Sequence, residues 1–403
     1  MEPSGALSSR RPDRGRVYLD YGGLAPVDPR VVAVMRPFLE GGVGNPSSLH
    51  SLGSAARESL EAARLKVARL VGGSAAGLLF TSGATEANNL AIKGVAPRAS
   101  ERGRHVVTSS IEHMSVLNPC RDLEKGGMAV TYLPVDADGR VDPDALRRAI
   151  RPDTVLISIM AANGEIGTVQ EIAQLGRVAR EHGIPFHVDG VGAVGRLPLS
   201  VEEMAVDLLT LSSNDLYGPP GAGALWVRPG VKLLPQILGG GQEGGLRSGT
   251  ENLPAIVGMG VAAELVRAEW RGERARLCRL RDRLLSELLA AIPGCRLTGS
   301  RAQRLPHHLS LCLHAVKADG VLMDLDLHGV GAASGSACAS KTLEPSHVLR
   351  AIGADPEEQE GSLCFTLGRW STAGDIEAVL ELLPPIVSRL RAFSPKVLPS
   401  AAS

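Results

Sequence analysis

Leu78-Leu79-Phe80-Thr81-Ser82-Gly83-Ala84-Thr85-Glu86 sets a short apolar run directly before a polar turn and an amphipathic segment expected to be helical over Glu86–Ile92. This is how a buried strand hands over to a helix at the carboxyl edge of a sheet. Backbone N–H groups at a helix start, beside Thr and Ser hydroxyls, form a cup for a phosphate, and the plainer reading is a turn capped by Thr85. The pattern repeats outward from here. Strands are expected at His105–Ser109, Ala129–Pro134, Val155–Met160, Phe186–Val188, Asp207–Leu211 and Ala224–Val227, with helices over Pro143–Ile150 and Ile172–His182. Gly183 and Pro185 close the second of these helices. Short apolar runs alternating with helices predict a layered α/β fold. From Glu251 the character changes to helix-like stretches through Arg267 and over Glu273–Ile292, a strand at Leu309–Leu313 and a final helix, Ala373–Arg391. A domain boundary is therefore expected near Gly260. A large domain would cover 25–260, and a smaller one 17–24, beginning with a strand at Val17–Leu19, together with 261–393. Residues 1–16 are expected to form a disordered arm and 394–403 a frayed tail.

The 403 residues allow two ordinary domains at about 150 residues each. Hydrophobic residues at 44% and charged residues at 21% are globular values, which excludes disorder or a collagen-like chain. Lys+Arg and Asp+Glu are each 43, so net charge gives no basis for binding nucleic acid or an anionic membrane, local patches aside. No apolar run is long enough to span a bilayer. The cysteines Cys120, Cys278, Cys295, Cys312, Cys338 and Cys364 are scattered, without disulfide-framework or Cys-x-x-Cys spacing. A reducing cytoplasm and no metal site follow as expectations.

Four features could carry chemistry. Asp189 ends the run His187-Val188-Asp189, where α/β folds bind ligands, and could pair with a protonated ring nitrogen; a helix cap is the plain alternative. His113 follows a strand too, and a structural role is the default for a lone histidine. The phosphate cup at Thr85 is the third. The fourth is Cys338, in Ala333-Ser334-Gly335-Ser336-Ala337-Cys338-Ala339-Ser340, a run of small residues that presents its thiol as a candidate nucleophile.

Longer motifs join these pieces. They are Gly44-Asn45-Pro46-Ser47-Ser48-Leu49-His50, Thr81-Ser82-Gly83-Ala84-Thr85-Glu86-Ala87-Asn88-Asn89 and Gly239-Gly240-Gly241-Gln242-Glu243. They continue with Leu246-Arg247-Ser248-Gly249-Thr250-Glu251-Asn252 and with Gly335-Ser336-Ala337-Cys338 followed by Leu343-Glu344-Pro345-Ser346. From about Val17 to Arg391 the chain resembles the cysteine desulfurase and selenocysteine lyase family of class V aminotransferases. The resemblance implies the fold-type-I pyridoxal phosphate (PLP) architecture. Its parts are a large domain with a mostly parallel seven-stranded sheet, a smaller C-terminal α/β domain, and a homodimer. It also implies roles. Thr85 and Ser212 would bind the phosphate, with Thr250 supplied by a second subunit. His113 would stack on the pyridine ring, Asp189 would hold its nitrogen, and Cys338 would take sulfur from cysteine as a persulfide for an acceptor protein.

The departures gather on that same chemistry. The family's Ser-x-His-Lys-x-Tyr-Gly-Pro-Lys-Gly is here Ser212-Ser213-Asn214-Asp215-Leu216-Tyr217-Gly218-Pro219-Pro220-Gly221, so Asp215 stands at the lysine that bonds PLP. A carboxylate cannot form an imine. Gly192 stands where the family has a glutamine beside the phenolic oxygen, and Cys364 where it has an arginine for the substrate carboxylate. Asn-Asn-Glu-Ile-Gly has become Asn163-Gly164-Glu165-Ile166-Gly167, and the early segment reads Asp20-Tyr21-Gly22-Gly23-Leu24-Ala25-Pro26. The first expectation is a protein without a cofactor, using Cys338 for sulfur transfer or covalent catalysis on a small molecule, with Asp215 as acid or base. The alternatives are a desulfurase holding PLP non-covalently, with Lys341 as a substitute amine, and a non-enzymatic iron–sulfur or partner-binding scaffold.

Overall fold

The structure, a computed structural model, describes residues 15–41, 44–335 and 346–393. Cys338, Lys341, most of the 1–16 arm and the 394–403 tail lie outside the described residues. Seven strands form the large sheet: β1 (Leu78–Thr81), β2 (His105–Ser109), β3 (Ala129–Leu133), β4 (Thr154–Ser158), β5 (Phe186–Asp189), β6 (Leu208–Ser212) and β7 (Gly223–Val227). Their order is β1-β7-β6-β5-β4-β2-β3. Strand β7 is antiparallel to both neighbours and every other pairing is parallel. All strands except the edge strand β3 are buried along their whole length, so they read as continuous apolar runs rather than alternating ones. Alternate residues still divide between two cores. Val106, Leu156 and Leu208 face one layer, with Ala87, Leu90 and Ala91 of helix α1 (Ala84–Arg98) and Val116 and Cys120 of helix α2 (Met114–Lys125). Val107, Ile157 and Leu209 face the other. The expected α/β class and the mostly parallel seven-stranded sheet are observed.

The two stretches expected after Glu251 are one helix, α3 (Leu253–Ala291), 39 residues long. Its glycines are packing sites rather than breaks. A Cβ on Gly260 would lie 2.8 Å from Ala63 Cα, and one on Gly258 2.8 Å from Met35 Sδ. The boundary expected near Gly260 falls inside this helix. Its first half packs into the large core through Ile256, Met259 and Ala263, and its second half into another core through Leu277, Leu284 and Leu288. The second core belongs to a smaller C-terminal domain. There a four-stranded antiparallel sheet runs in the order Ala333–Ser334, Ser362–Thr366, His308–Leu313, Cys295–Leu297. Val17–Tyr18 pairs in parallel with Val330–Gly331 beside it. No described helix is long and apolar enough to cross a membrane.

Candidate functional site

The carboxyl ends of β1, β2, β5 and β6 open on one edge of the large sheet, the usual ligand edge of such sheets. At the β1 end, Gly83 caps α1 without any side-chain hydrogen bond, and a Cβ there would meet nothing within 4 Å. No side chain therefore caps the start of α1, and Thr85 beside it is exposed. Two ion pairs fix the neighbouring 239–250 loop. Glu243 is buried, takes Arg64 in a two-pronged pair at 2.7 and 2.9 Å, and accepts the Phe80 N–H at 2.9 Å. Glu86 accepts Arg247 Nε at 2.9 Å and the Ser82 N–H at 2.8 Å. Thr250 lies exposed at the end of this loop.

One hydrogen-bond chain links three elements. Asn88 of α1 donates to Asp189 Oδ2 at 2.7 Å and to Ser115 Oγ at 2.8 Å. The Ser115 hydroxyl lies 2.8 Å from His113 Nδ1, which also accepts the Ser115 N–H at 3.1 Å and so caps α2. With Nδ1 accepting, the ring carries its proton on Nε2. Asp189 is buried, and its Oδ1 accepts the Val191 N–H at 3.1 Å. Burial raises its pKa, against hydrogen bonds from Val191 and Asn88 and the nearby His113.

Ser212 ends β6, its hydroxyl bonded to Asn214 Oδ1 at 2.5 Å. Asp215 follows in a tight turn, half-buried, accepting from Asn214 Nδ2 at 3.2 Å. Burial lifts its carboxyl to about 6, with the Ser212 hydroxyl and Arg196 pulling it down and the charge of Asp189 pushing it up. Tyr217, at φ +61, holds this turn: its hydroxyl accepts from Arg196 at 2.7 Å and from the Arg369 N–H at 3.0 Å. Thus Asp189 and Asp215 are electrostatically coupled, with His113 tied to Asp189 through Ser115 and Asn88.

Glu112, Glu165 and the His308–Cys364 pair of the smaller domain escaped the sequence reading as site residues. Glu112 is wholly buried, accepts Ser109 Oγ at 2.6 Å and the Met160 N–H at 3.0 Å, and is lifted by burial to about 8. Burial also lifts Glu165 to about 8. Its neighbour Gly164 accepts His308 Nε2 at 2.9 Å, and the same nitrogen lies 3.2 Å from Cys364 Sγ. Burial pushes the Cys364 thiol up and brings His308 down to about 3, so both are neutral. Glu112 sat beside His113 in sequence, but nothing local marked it as buried. No lysine reaches this edge among the described residues. Lys66 and Lys93 pair with Glu264 and Asp122, and Lys125, Lys232 and Lys317 are exposed.

The chain matches the family described as Aminotransferase class-V over residues 17–379. It is 49% identical over 378 residues to Cysteine desulfurase IscS 1 of Archaeoglobus fulgidus, covering 94% of this chain and 98% of that one. The chain belongs to the class V aminotransferases, within the cysteine desulfurase family. Cysteine desulfurase IscS of Dictyoglomus turgidum is 48% identical over 379 residues, covering 94% and 96%. A solved NifS-like protein superposes with a TM-score of 0.88 at 35% identity, covering 93% of this chain and all of the other.

These matches correct one expectation. A protein with no cofactor does not agree with membership of this cysteine desulfurase family, whose class V aminotransferase relatives depend on PLP. The described residues fit most of that group. The start of α1, without a side-chain cap, suits a phosphate, and Asp189 suits a ring nitrogen. The position of the anchoring lysine does not fit, since it holds the carboxyl of Asp215.

Proposed function

We propose that this protein is a cysteine desulfurase-type enzyme that holds PLP without a covalent bond to the chain. The observation that carries this reading is the Asp189–Asn88–Ser115–His113 chain: the residues that would hold the ring nitrogen and the ring face are bonded to one another, while Asp215 stands at the anchor. Thr85, Ser212 and the first N–H groups of α1 would take the phosphate, and Asp189 would keep a proton on the ring nitrogen. When bound, PLP supplies an electron sink for carbon–sulfur cleavage. Asp215, at about 6, is poised near neutrality to accept or return a proton where no amine is present. Cys338 would take the sulfur, forming a persulfide for an acceptor protein. Without a lysine to exchange, each turnover should be slow.

The exposed side chains Leu49 (94%) and Leu238 (81%), close in sequence to the Gly44–His50 motif and the 239–250 loop, support a homodimer in which Thr250 serves the partner's phosphate. A cytoplasmic setting is part of the same proposal. The test is the visible spectrum of purified protein before and after adding PLP, followed by gel filtration and an assay for sulfide from L-cysteine. Retained PLP that is not trapped by borohydride, with slow sulfide release, supports the reading. Colourless protein that neither retains PLP nor releases sulfide would sink it.

A further inference from the structure

Between the outer half of α3 and residues 301–304 of the smaller domain lies an open cleft of about 580 Å³, lined by Arg281, Asp282, Arg283, Ser286, Arg301 and Arg304. Its charges do not balance. Arg281 bonds Asp282 at 2.7 Å, and Arg283 pairs with Glu287 and Glu377 at 2.8 and 3.1 Å. Among the described residues Arg301 and Arg304 form no ion pair within 4.0 Å, and the carboxylates that act on Arg304, those of Asp138 and Asp282, are more distant. Arg304 is only 8% exposed, and its bonded N–H groups go to the backbone carbonyls of Ser300 (2.8 Å), His308 (3.4 Å) and Thr298. Arg281 is equally buried and bonds the Leu305 carbonyl at 2.8 Å. The two buried guanidinium groups, Arg281 on α3 and Arg304 on the facing loop, repel each other. Burial and the charge of Arg281 bring Arg304 down to about 10, which leaves it fully charged at neutral pH. The cleft lining therefore sets the four guanidinium groups of Arg281, Arg283, Arg301 and Arg304 against the single carboxylate of Asp282. Planar guanidinium forks match phosphate oxygens, and such bonds strengthen where water is scarce.

We propose that this cleft binds a multivalent phosphate-type anion, the diphosphate of a nucleotide or free pyrophosphate, between Arg281, Arg301 and Arg304. Its size suits a nucleotide-sized ligand. The loop it would grip is the seam between the domains: Ser300 N–H donates to Thr168 Oγ1 at 2.9 Å, Val169 N–H to the Gln303 carbonyl at 2.9 Å, and Leu305 N–H to the Gly167 carbonyl at 2.8 Å. Bound anion would thus brace the small domain against the Asn163–Gly167 turn beside Cys364. None of these arginines belongs to the phosphate cup of α1, so the inference stands apart from the PLP reading.

The experiment is calorimetric titration of the purified full chain with sodium pyrophosphate and with ADP, at fixed ionic strength. Saturable binding with half-saturation below about 1 mM is expected. Arg301→Glu, an exposed change that should not disturb folding, is expected to weaken it at least about tenfold. Thr85→Val, at the other phosphate cup, should leave it unchanged. Tighter binding of ADP than of pyrophosphate identifies a nucleotide, and equal binding a free polyphosphate. Absence of saturable heat, indifference to Arg301→Glu, or loss of binding in Thr85→Val would overturn the proposal.

Discussion

Asn88 Nδ2 stands 2.7 Å from Asp189 Oδ2, so the first turns of α1 are bonded inside the core to the end of β5. The bond keeps a buried carboxyl partnered where a ring nitrogen would be held. Asn88→Ala removes it together with the donor to Ser115. The expected result is a loss of about 1–3 kcal/mol of stability, the cost of leaving a buried acceptor unsatisfied. Urea unfolding of cofactor-free protein measures this. PLP affinity should fall in parallel, and unchanged affinity would show that Asp189 needs no support.

Asp215→Lys restores an amine at the anchor position. The variant should purify yellow, keep PLP through dialysis, and yield a borohydride-stable adduct on Lys at position 215 by peptide mass mapping. The parent protein should hold PLP without any borohydride-stable adduct. A borohydride-stable adduct in the parent would mean that another amine, Lys341 included, already anchors the cofactor.

Glu112 gives a prediction with a definite pH direction. Burial raises its carboxyl from 4.5 to about 8 in the folded chain. Its neutral form therefore contributes stability that is fully present below about 4.5 and is lost as pH rises through about 8. Glu112→Gln keeps a neutral side chain of the same shape and should flatten the fall in urea midpoint between pH 5 and pH 8.5. A parent midpoint that does not fall over this range would show that Glu112 is already ionised.

The cysteines divide by burial. Cys120, Cys312 and Cys364 are buried, and burial raises their thiols, so iodoacetamide should spare them in native protein. Cys338 should be alkylated first, and Cys338→Ala should abolish sulfur transfer, whereas Cys364→Ser should leave labelling of Cys338 unchanged. Preferential labelling of a buried cysteine, or transfer that survives Cys338→Ala, would count against the role given to Cys338. Peptide mass spectrometry reads both outcomes.

The sequence by itself determined the α/β class, β1 and β2 as drawn and the other five central strands to within two residues at either end, and the family. Apolar runs and glycine-rich turns are local signals, and a strand or helix start needs only its own neighbours to be read. It also showed Asp215 at the anchor position, because a motif with one substituted residue is visible as a string. Tertiary structure alone decided the rest. The domain boundary expected near Gly260 lies inside α3, where Gly258 and Gly260 are close contacts with Met35 and Ala63, which sit far away in the chain. Glu112 and Glu165 are ordinary surface residue types whose buried, proton-holding state depends on strands and loops packed around them. The overall charge of zero concealed the arginines of the α3 cleft, since a sum over the chain carries no positions. Burial and charge pairing are properties of neighbours in space, and only folding chooses those neighbours.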